Sequence, residues 1–338
     1  MAGHSRLLVV IPTLNEAHHI AQILDDLSAD LPDIPTRFVV ADGGSSDGTQ
    51  AIVAEIAARR SDVALLHNPR RLQSAAVNLA VEEHGEDADL LIRCDAHAEY
   101  PRAFLASLIA SRAANGADAV VVPMDSAGTS CLQRAIAWVS DSKVGSGGSA
   151  HRGGATSGFV DHGHHALFTM ESYRRAGGYD PGFSHNEDAE LDCRQRALGS
   201  RIFLDAAIRL RYAPRPTLGK LARQYFNYGK GRSRTVRRHP HSLRARQLAI
   251  PLHVCLSAAS LALAPVDLRF LAWPLLSGLI LMLTSLSIAF RRRSLCGLLA
   301  APAAATMHYA WGAGFLAGLI TLRERRWQPA AAPQATGR

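Results

Sequence analysis

The sequence carries almost no charged residues after position 246, and this constrains the fold more than any other feature. Uncharged stretches cover residues 247–266, 270–290 and 294–322. A helix that crosses the hydrocarbon core of a membrane needs about 20 residues, most of them apolar. Each stretch reaches that length. The sequence therefore predicts a globular domain over residues 1–235, followed by a basic juxtamembrane segment and a membrane region over residues 236–338.

The three stretches are not equally good membrane helices. Residues 270–290 form the most apolar one, whereas residues 247–266 contain Pro251, His253 and several serines and alanines. Residues 294–322 are too many for one upright span, so one tilted helix and two short helices both remain open. A buried all-helical domain is the alternative, but three successive stretches of this length are difficult to bury in a small soluble domain.

Basic residues flank these stretches and give the chain a net charge of +8. The segment 230–246 alone carries six arginines and one lysine. Arginine-rich flanks favour the cytoplasmic side of a membrane and attract anionic lipid headgroups. The segment has no repeating pattern of aromatic residues, which disfavours nucleic acid as a partner. We expect a multi-pass protein of the cytoplasmic (inner) membrane whose globular domain faces the cytoplasm.

The cysteines indicate a reducing compartment. There are five, at positions 94, 131, 193, 255 and 296, and no two are spaced as C-x-x-C. Scattered cysteines in an odd number argue against a disulfide framework and against a zinc knuckle.

Apolar β-rich runs alternate with amphipathic helical patterns over residues 6–123. We expect strands at 6–14, 37–42, 63–67, 89–95 and 117–123, with helices at 16–29, 46–59, 73–83 and 101–114. Such alternation is typical of a mostly parallel sheet covered by helices. Ligands of these folds bind beyond the carboxyl ends of the strands.

Three polar clusters follow strands of this sheet, at residues 12–16, 41–49 and 95–97. Neither G-x-G-x-x-G after the first strand nor a GKS/GKT phosphate loop is present, so a dinucleotide fingerprint is excluded. Any one cluster is compatible with an ordinary polar turn, in which Ser45 or Ser46 caps the next helix. Three clusters on one sheet edge favour a binding site.

A further acidic group stands at residues 186–188, where a helix is expected to begin with Asn186 as its N-cap. One interpretation is that Glu187 and Asp188 only stabilise the helix N-terminus through its dipole. The other is that one of them acts as a general base.

The four motifs together resemble the family 2 glycosyltransferases, which have the GT-A fold. They read VVIPTLNE, VVADGGSSDGT, a strand that ends in Asp-x-His, and NED, and they span residues 7 to about 235. The resemblance implies an α/β catalytic domain with a Rossmann-like, mostly parallel sheet and flanking helices, here followed by C-terminal transmembrane helices. It also implies transfer of an activated sugar with inversion at the anomeric carbon.

The resemblance implies a role for each motif residue. On the donor side, the nucleotide-sugar-binding residues would be Pro12, Asn15, Glu16, Asp42 (holding the uracil ring) and Asp95. Asp95 and His97 would hold a divalent metal, Mg²⁺ or Mn²⁺, on the diphosphate. Asp188 would be the catalytic base, with Glu187 as its neighbour in the site.

The chemistry of the reaction agrees with these roles. A cation stabilises the negative charge that develops on the diphosphate leaving group, and carboxylate oxygens suit Mg²⁺ or Mn²⁺. An imidazole shifts the preference toward Mn²⁺. A carboxylate within hydrogen-bond reach can take the proton of the acceptor hydroxyl.

The acceptor side is less defined by motifs. His165 is expected in a pocket wall near donor or acceptor. Arg223 and Gln224 lie where processive members of the family carry Q-x-x-R-W, but Asn227 and Tyr228 replace Arg-Trp. This departure argues for a single transfer rather than polymer extrusion. Arg223 either contacts a diphosphate or is a solvated surface residue.

We therefore expect transfer of a hexose, with glucose from UDP-glucose as the leading donor. The acceptor would be a polyprenyl-diphosphate-linked glycan in exopolysaccharide or other cell-surface polysaccharide biosynthesis, alongside membrane lipids and other polysaccharide-assembly proteins as partners. A membrane-anchored, metal-dependent nucleotidyltransferase and a glycosyltransferase acting directly on a polyprenyl phosphate are the alternatives.

Overall fold

The computed structural model describes residues 6–31, 33–147 and 156–329. Its ten strands are β1 Leu7–Thr13, β2 Thr36–Asp42, β3 Val63–His67, β4 Leu90–Arg93, β5 Ala119–Val122, β6 Met124–Ser126, β7 Gly158–Phe159, β8 His164–Thr169, β9 Ile202–Leu204 and β10 Leu210–Tyr212. Its twelve α-helices are α1 Ile20–Ala29, α2 Thr49–Arg59, α3 Gln73–His84, α4 Phe104–Asn115, α5 Cys131–Ser140, α6 Lys143–Ser146, α7 Met170–Arg175, α8 Glu187–Ala197, α9 Leu218–Arg238, α10 Ala245–Leu263, α11 Ala272–Arg292 and α12 Ala300–Thr321.

Eight strands form the central sheet in the order β3-β2-β1-β4-β8-β5-β9-β7. The first four are parallel to one another, while β8 pairs antiparallel with both β4 and β5. Apolar side chains on the two faces of the sheet form two separate cores against the helices. This confirms the predicted mostly parallel sheet with flanking helices, and it brings the ends of β1, β2 and β4 to one edge.

Helices α1, α2 and α4 begin later than the sequence pattern predicts. The backbone N–H of Glu16 donates to Oγ1 of Thr49, the first residue of α2, at 2.9 Å, so the residues before α1 are held there instead of entering the helix. Helix α2 begins after Gly48, which lacks a side-chain cap. The prediction that Ser45 or Ser46 caps this helix was wrong, because Gly48 is the N-cap and the Ser45 hydroxyl donates to Asp42 instead.

Two C-terminal helical segments are long and apolar enough to cross a membrane, Ala245–Leu263 and Leu268–Arg292. Only 11% and 6% of the most apolar 18-residue stretch in each segment is buried within the protein. They correspond to the first two predicted stretches.

The third predicted stretch forms a short 3₁₀ turn and α12, which packs against α9 and α5. Helices α9 and α12 approach so closely that a Cβ on Gly229 would collide with the carbonyl of Trp311. Helix α9 itself crosses the predicted boundary between residues 235 and 236 without interruption.

One disulfide contradicts the expectation that the cysteines stay unpaired. Cys131 at the start of α5 is bonded to Cys296 in the turn before α12. The two are 165 residues apart in sequence. The bond ties the globular domain to the C-terminal helices.

Candidate active site

The first two polar loops are hydrogen-bonded to each other at the sheet edge. Asn15, in a left-handed backbone conformation, donates its N–H to Ser45 Oγ at 2.8 Å and accepts from the N–H of Ser46 at 2.9 Å. Pro12 lies opposite Ala41 in the β1–β2 register. The two loops therefore form one rigid unit.

Asp42 is the buried centre of that unit. Its Oδ1 atom accepts hydrogen bonds from the N–H groups of Gly44 and Ser45 at 2.8 and 2.9 Å and from Gln50 Nε2 at 2.8 Å. Its Oδ2 atom accepts from the Ser45 hydroxyl. Three donors therefore occupy Oδ1, whereas the one hydroxyl on Oδ2 leaves that oxygen with acceptor capacity.

Arg93, the last residue of β4, contacts Asp95, Asp188 and Tyr179, and these residues form the centre of the site. Its side chain is only 3% exposed. Its Nη1 atom donates to Asp188 Oδ1 at 2.8 Å and to Tyr179 Oη at 3.1 Å. Tyr179 in turn donates to the same Asp188 oxygen at 2.7 Å. Asp188 is thus fixed through Oδ1, while its Oδ2 atom lies 3.8 Å from the Nδ1 atom of His164.

Asp95 lies two residues beyond Arg93 and faces the same centre. Gln73 Nε2 donates to its Oδ1 atom at 2.6 Å. Its Oδ2 atom is 3.7 Å from His164 Nε2. Burial acts to raise the pKa of Asp95, but the positive charge of Arg93, followed by the imidazoles of His164 and His97, outweighs burial and lowers the pKa. Asp95 is therefore ionised at neutral pH.

His97 is directed to the first loop. Its Nδ1 atom is 3.0 Å from Glu16 Oε1, and its side chain is 49% exposed. This contact joins the Asp95 turn to the loop after β1, so the first and third clusters meet.

Glu187 and Asp188 begin α8 but differ in environment. Burial, followed by the negative charge of Asp188, raises the pKa of Glu187 to about 7. Asn186 precedes them in a left-handed conformation without a side-chain cap. Its amide instead donates to Thr235 of α9 at 3.1 Å. The N-cap interaction expected for Asn186 is therefore replaced by a tertiary hydrogen bond.

Of the acceptor-side residues, Gln224 bonds to two tyrosines outside this centre. Gln224 Nε2 donates to the hydroxyls of Tyr212 and Tyr228 at 3.1 and 2.9 Å. Arg223 is exposed. The backbone of His165 pairs with Val121 in the sheet, and its side chain lies outside the part of the chain that the structure describes.

Sequence reasoning missed four residues of the centre, which are Gln73, Arg93, His164 and Tyr179. Arg93 was visible as a charge at the end of an apolar strand, a place where a solvated arginine is not expected.

Across residues 6–31, 33–147 and 156–329, no three His, Cys, Asp or Glu side chains form a group that could hold a metal ion by themselves. A metal would need oxygens from a substrate or water in addition.

The fold and this carboxylate-lined edge define a GT-A glycosyltransferase. The chain belongs to glycosyl transferase family 2, whose model matches residues 8–177. It is an enzyme that transfers sugars, and the nucleotidyltransferase alternative is not retained.

Two known proteins show how far the similarity extends. The succinoglycan biosynthesis protein ExoA of Rhizobium meliloti (strain 1021) is 43% identical over 318 residues, which cover 94% of this chain and 96% of that protein. The mannosyltransferase PcManGT of Pyrobaculum calidifontis, solved in complex with GDP-Man and Mn²⁺, superposes with a TM-score of 0.63 at 21% identity, covering 94% of this chain and 88% of that one. The second likeness shows the shared fold.

Proposed function

We propose that this glycosyltransferase moves a hexose, with glucose from UDP-glucose as the expected donor, onto a polyprenyl-diphosphate-linked glycan in exopolysaccharide assembly. The observation that carries the proposal is the pair of carboxylates, Asp95 and Asp188, held by the same buried arginine at the ligand-binding edge of the sheet. The extensive identity to a succinoglycan biosynthesis protein supports the polysaccharide context.

Asp95 serves the donor side in this proposal. Pro12, Asn15, Glu16 and Asp42 form the interlocked loops against which the nucleotide lies. Asp95 and His97 would hold Mg²⁺ or Mn²⁺, and the ionised state of Asp95 suits a cation. When bound, the cation neutralises charge on the diphosphate leaving group.

Asp188 serves the acceptor side as the general base. Arg93 and Tyr179 fix the carboxylate through its Oδ1 atom, and this carboxylate takes the proton of the attacking hydroxyl. Positioning of this kind keeps the base aligned without rearrangement during the reaction. Glu187 shapes the local charge next to it. His165, Arg223 and Gln224 are assigned to the acceptor region, on the side of the site where α9 passes.

The two apolar segments, Ala245–Leu263 and Leu268–Arg292, anchor the enzyme in the cytoplasmic membrane as a helical hairpin. Both ends of a hairpin lie on one side, and arginines occur at both ends, in 230–246 and 291–293. Arginine-rich flanks favour the cytoplasm. The catalytic domain, assigned to residues 1–235, would then face the cytoplasmic pool of nucleotide sugars, with residues 236–338 as the membrane region.

The test is a transfer assay with the purified full-length protein in nanodiscs. UDP-glucose, UDP-galactose and GDP-mannose would each be offered with a polyprenyl-diphosphate glycan or with a polyprenyl phosphate. We expect UDP release and glycan extension only with UDP-glucose and the diphosphate-linked glycan, and loss of both in excess EDTA. Transfer to the polyprenyl phosphate alone would refute the assigned acceptor, and full activity in EDTA would refute the metal.

A further inference from the structure

The imidazole of His164 lies between the two carboxylates that the proposed function assigns to different tasks. Its Nε2 atom is 3.7 Å from Asp95 Oδ2, and its Nδ1 atom is 3.8 Å from Asp188 Oδ2. The side chain is 14% exposed. Each ring nitrogen therefore faces a different acidic residue, and the ring spans the space between the donor side and the acceptor side.

The distance between His164 and Asp95 suits two ligands of one small cation. Protein nitrogen and oxygen ligands lie at about 2.0–2.1 Å from such ions, so two ligands of the same ion can be up to about 4.2 Å apart. The observed 3.7 Å falls within that limit. It is longer than the roughly 3.2 Å upper range of a hydrogen bond, so these two atoms are not bonded directly to each other.

The second ring nitrogen fits the same interpretation. A histidine that binds a metal usually donates its other N–H to a carboxylate or a carbonyl, and this contact orients the ring. Here Nδ1 lies 3.8 Å from Oδ2 of Asp188, beyond hydrogen-bond range in this structure but close enough for a small movement of the ring to close the contact, as catalytic hydrogen bonds often tighten only when substrate is bound. One imidazole can therefore touch the cation and orient the base.

The backbone around His164 is built to direct this side chain. Strand β8 enters between β4 and β5, and its register with β5 shifts between Val120 and Val121, which leaves Ala166 without a partner. Such a bulge changes the direction of nearby side chains and is common beside active sites. Gly163 permits the close approach, because a Cβ there would collide with the Val121 side chain.

We propose that His164 is a protein ligand of the divalent cation, together with Asp95, and that its Nδ1–H orients Asp188. This inference rests on the proposed metal-dependent function. It adds a ligand that the Asp-x-His motif does not contain and couples donor binding to the position of the base. His97 differs from His164, since its Nδ1 atom already contacts Glu16 and its side chain is about half exposed.

The test is binding of Mn²⁺ to the full-length protein in the presence of UDP, followed by electron paramagnetic resonance of free Mn²⁺. We expect His164→Gln to weaken Mn²⁺ binding about 10–100-fold, a range typical for residues that support a metal site. His162→Gln is the matched control: its ring contacts Asp192 on the same helix as Asp188, and we expect its Mn²⁺ affinity to be unchanged. Equal Mn²⁺ affinity in the wild type and in folded His164→Gln would overturn the inference.

Pulsed resonance of bound Mn²⁺ gives a second readout that does not depend on the stability of a His164 variant. The nuclear coupling of a directly bound imidazole nitrogen should persist in His97→Gln, because His164 remains. Complete loss of nitrogen coupling in His97→Gln would overturn the role of His164. If the wild type with UDP binds no Mn²⁺ at all, the metal assignment of the proposed function itself is refuted instead.

Discussion

Replacing Arg93 with methionine tests whether the centre of the site is held as described. The substitution keeps an unbranched apolar side chain but removes the charge and the hydrogen bonds to Asp188 and Tyr179. Removing one partner of a buried ion pair costs about 3–5 kcal/mol, because the other charge stays buried. For a domain of about 200 residues, each kcal/mol lowers the melting temperature by roughly 2–4 °C. We therefore expect a decrease of about 6–20 °C.

The measurement is thermal unfolding in detergent of Arg93→Met, Asp188→Asn and the double variant at neutral pH. The loss in the double variant should be smaller than the sum of the single losses, by an amount within the roughly 0.5–3 kcal/mol found for residues in contact. Arg59→Met is the control, since Arg59 pairs only with the exposed Glu55 on the surface. A decrease of under 2 °C for Arg93→Met, or fully additive losses, would refute the described arrangement.

Two further predictions concern pH and redox state. Glu187 has a pKa raised from 4.5 to about 7, so it favours the folded state below pH 4.5 and loses that contribution as pH rises to about 7. Glu187→Gln should therefore raise the melting temperature at pH 8 and not at pH 4.5, and the opposite ordering would contradict the assigned burial. The variant Cys131→Ser lacks the Cys131–Cys296 disulfide, and its free energy of unfolding should be lower than that of the wild type by about 2–4 kcal/mol. Peptide mapping of the wild type without reductant should recover the peptides of Cys131 and Cys296 joined by the disulfide. Finding both thiols free would refute the disulfide.

The sequence predicted β1 to β5 because their apolar period differs from that of the helices, and this period depends on local residues alone. It did not predict β7, β8 and β9, which complete the sheet. Helix starts were predicted less well. The pattern places residues 16–19 in α1, yet the N–H of Glu16 donates to Thr49 at the start of α2. That hydrogen bond joins residues 33 positions apart, so a local pattern contains no sign of it.

Short motifs name candidate site residues directly, whereas residues that meet only through packing leave no local sign in the sequence. The motif around Asp95 shows that residue directly. The sequence singled out His165, whose side chain lies outside the described part of the chain, and gave no sign that the neighbouring His164 lies near Asp95 and Asp188. The direction of the His164 side chain depends on the register of β8 and on its shift between Val120 and Val121, which no sequence pattern reveals. Cys131 and Cys296 also meet only through the docking of α12.

Asp188→Asn tests the central claim, that Asp188 is the base of a metal-dependent sugar transfer. The measurement is the single-turnover rate of hexose transfer from UDP-glucose to the lipid-linked acceptor, with UDP binding measured on the same preparation. Loss of a general base typically reduces the rate about 10²–10⁴-fold, so we expect a loss in that range while UDP affinity is preserved. A variant that binds UDP normally and transfers the sugar within about threefold of the wild-type rate would contradict the account.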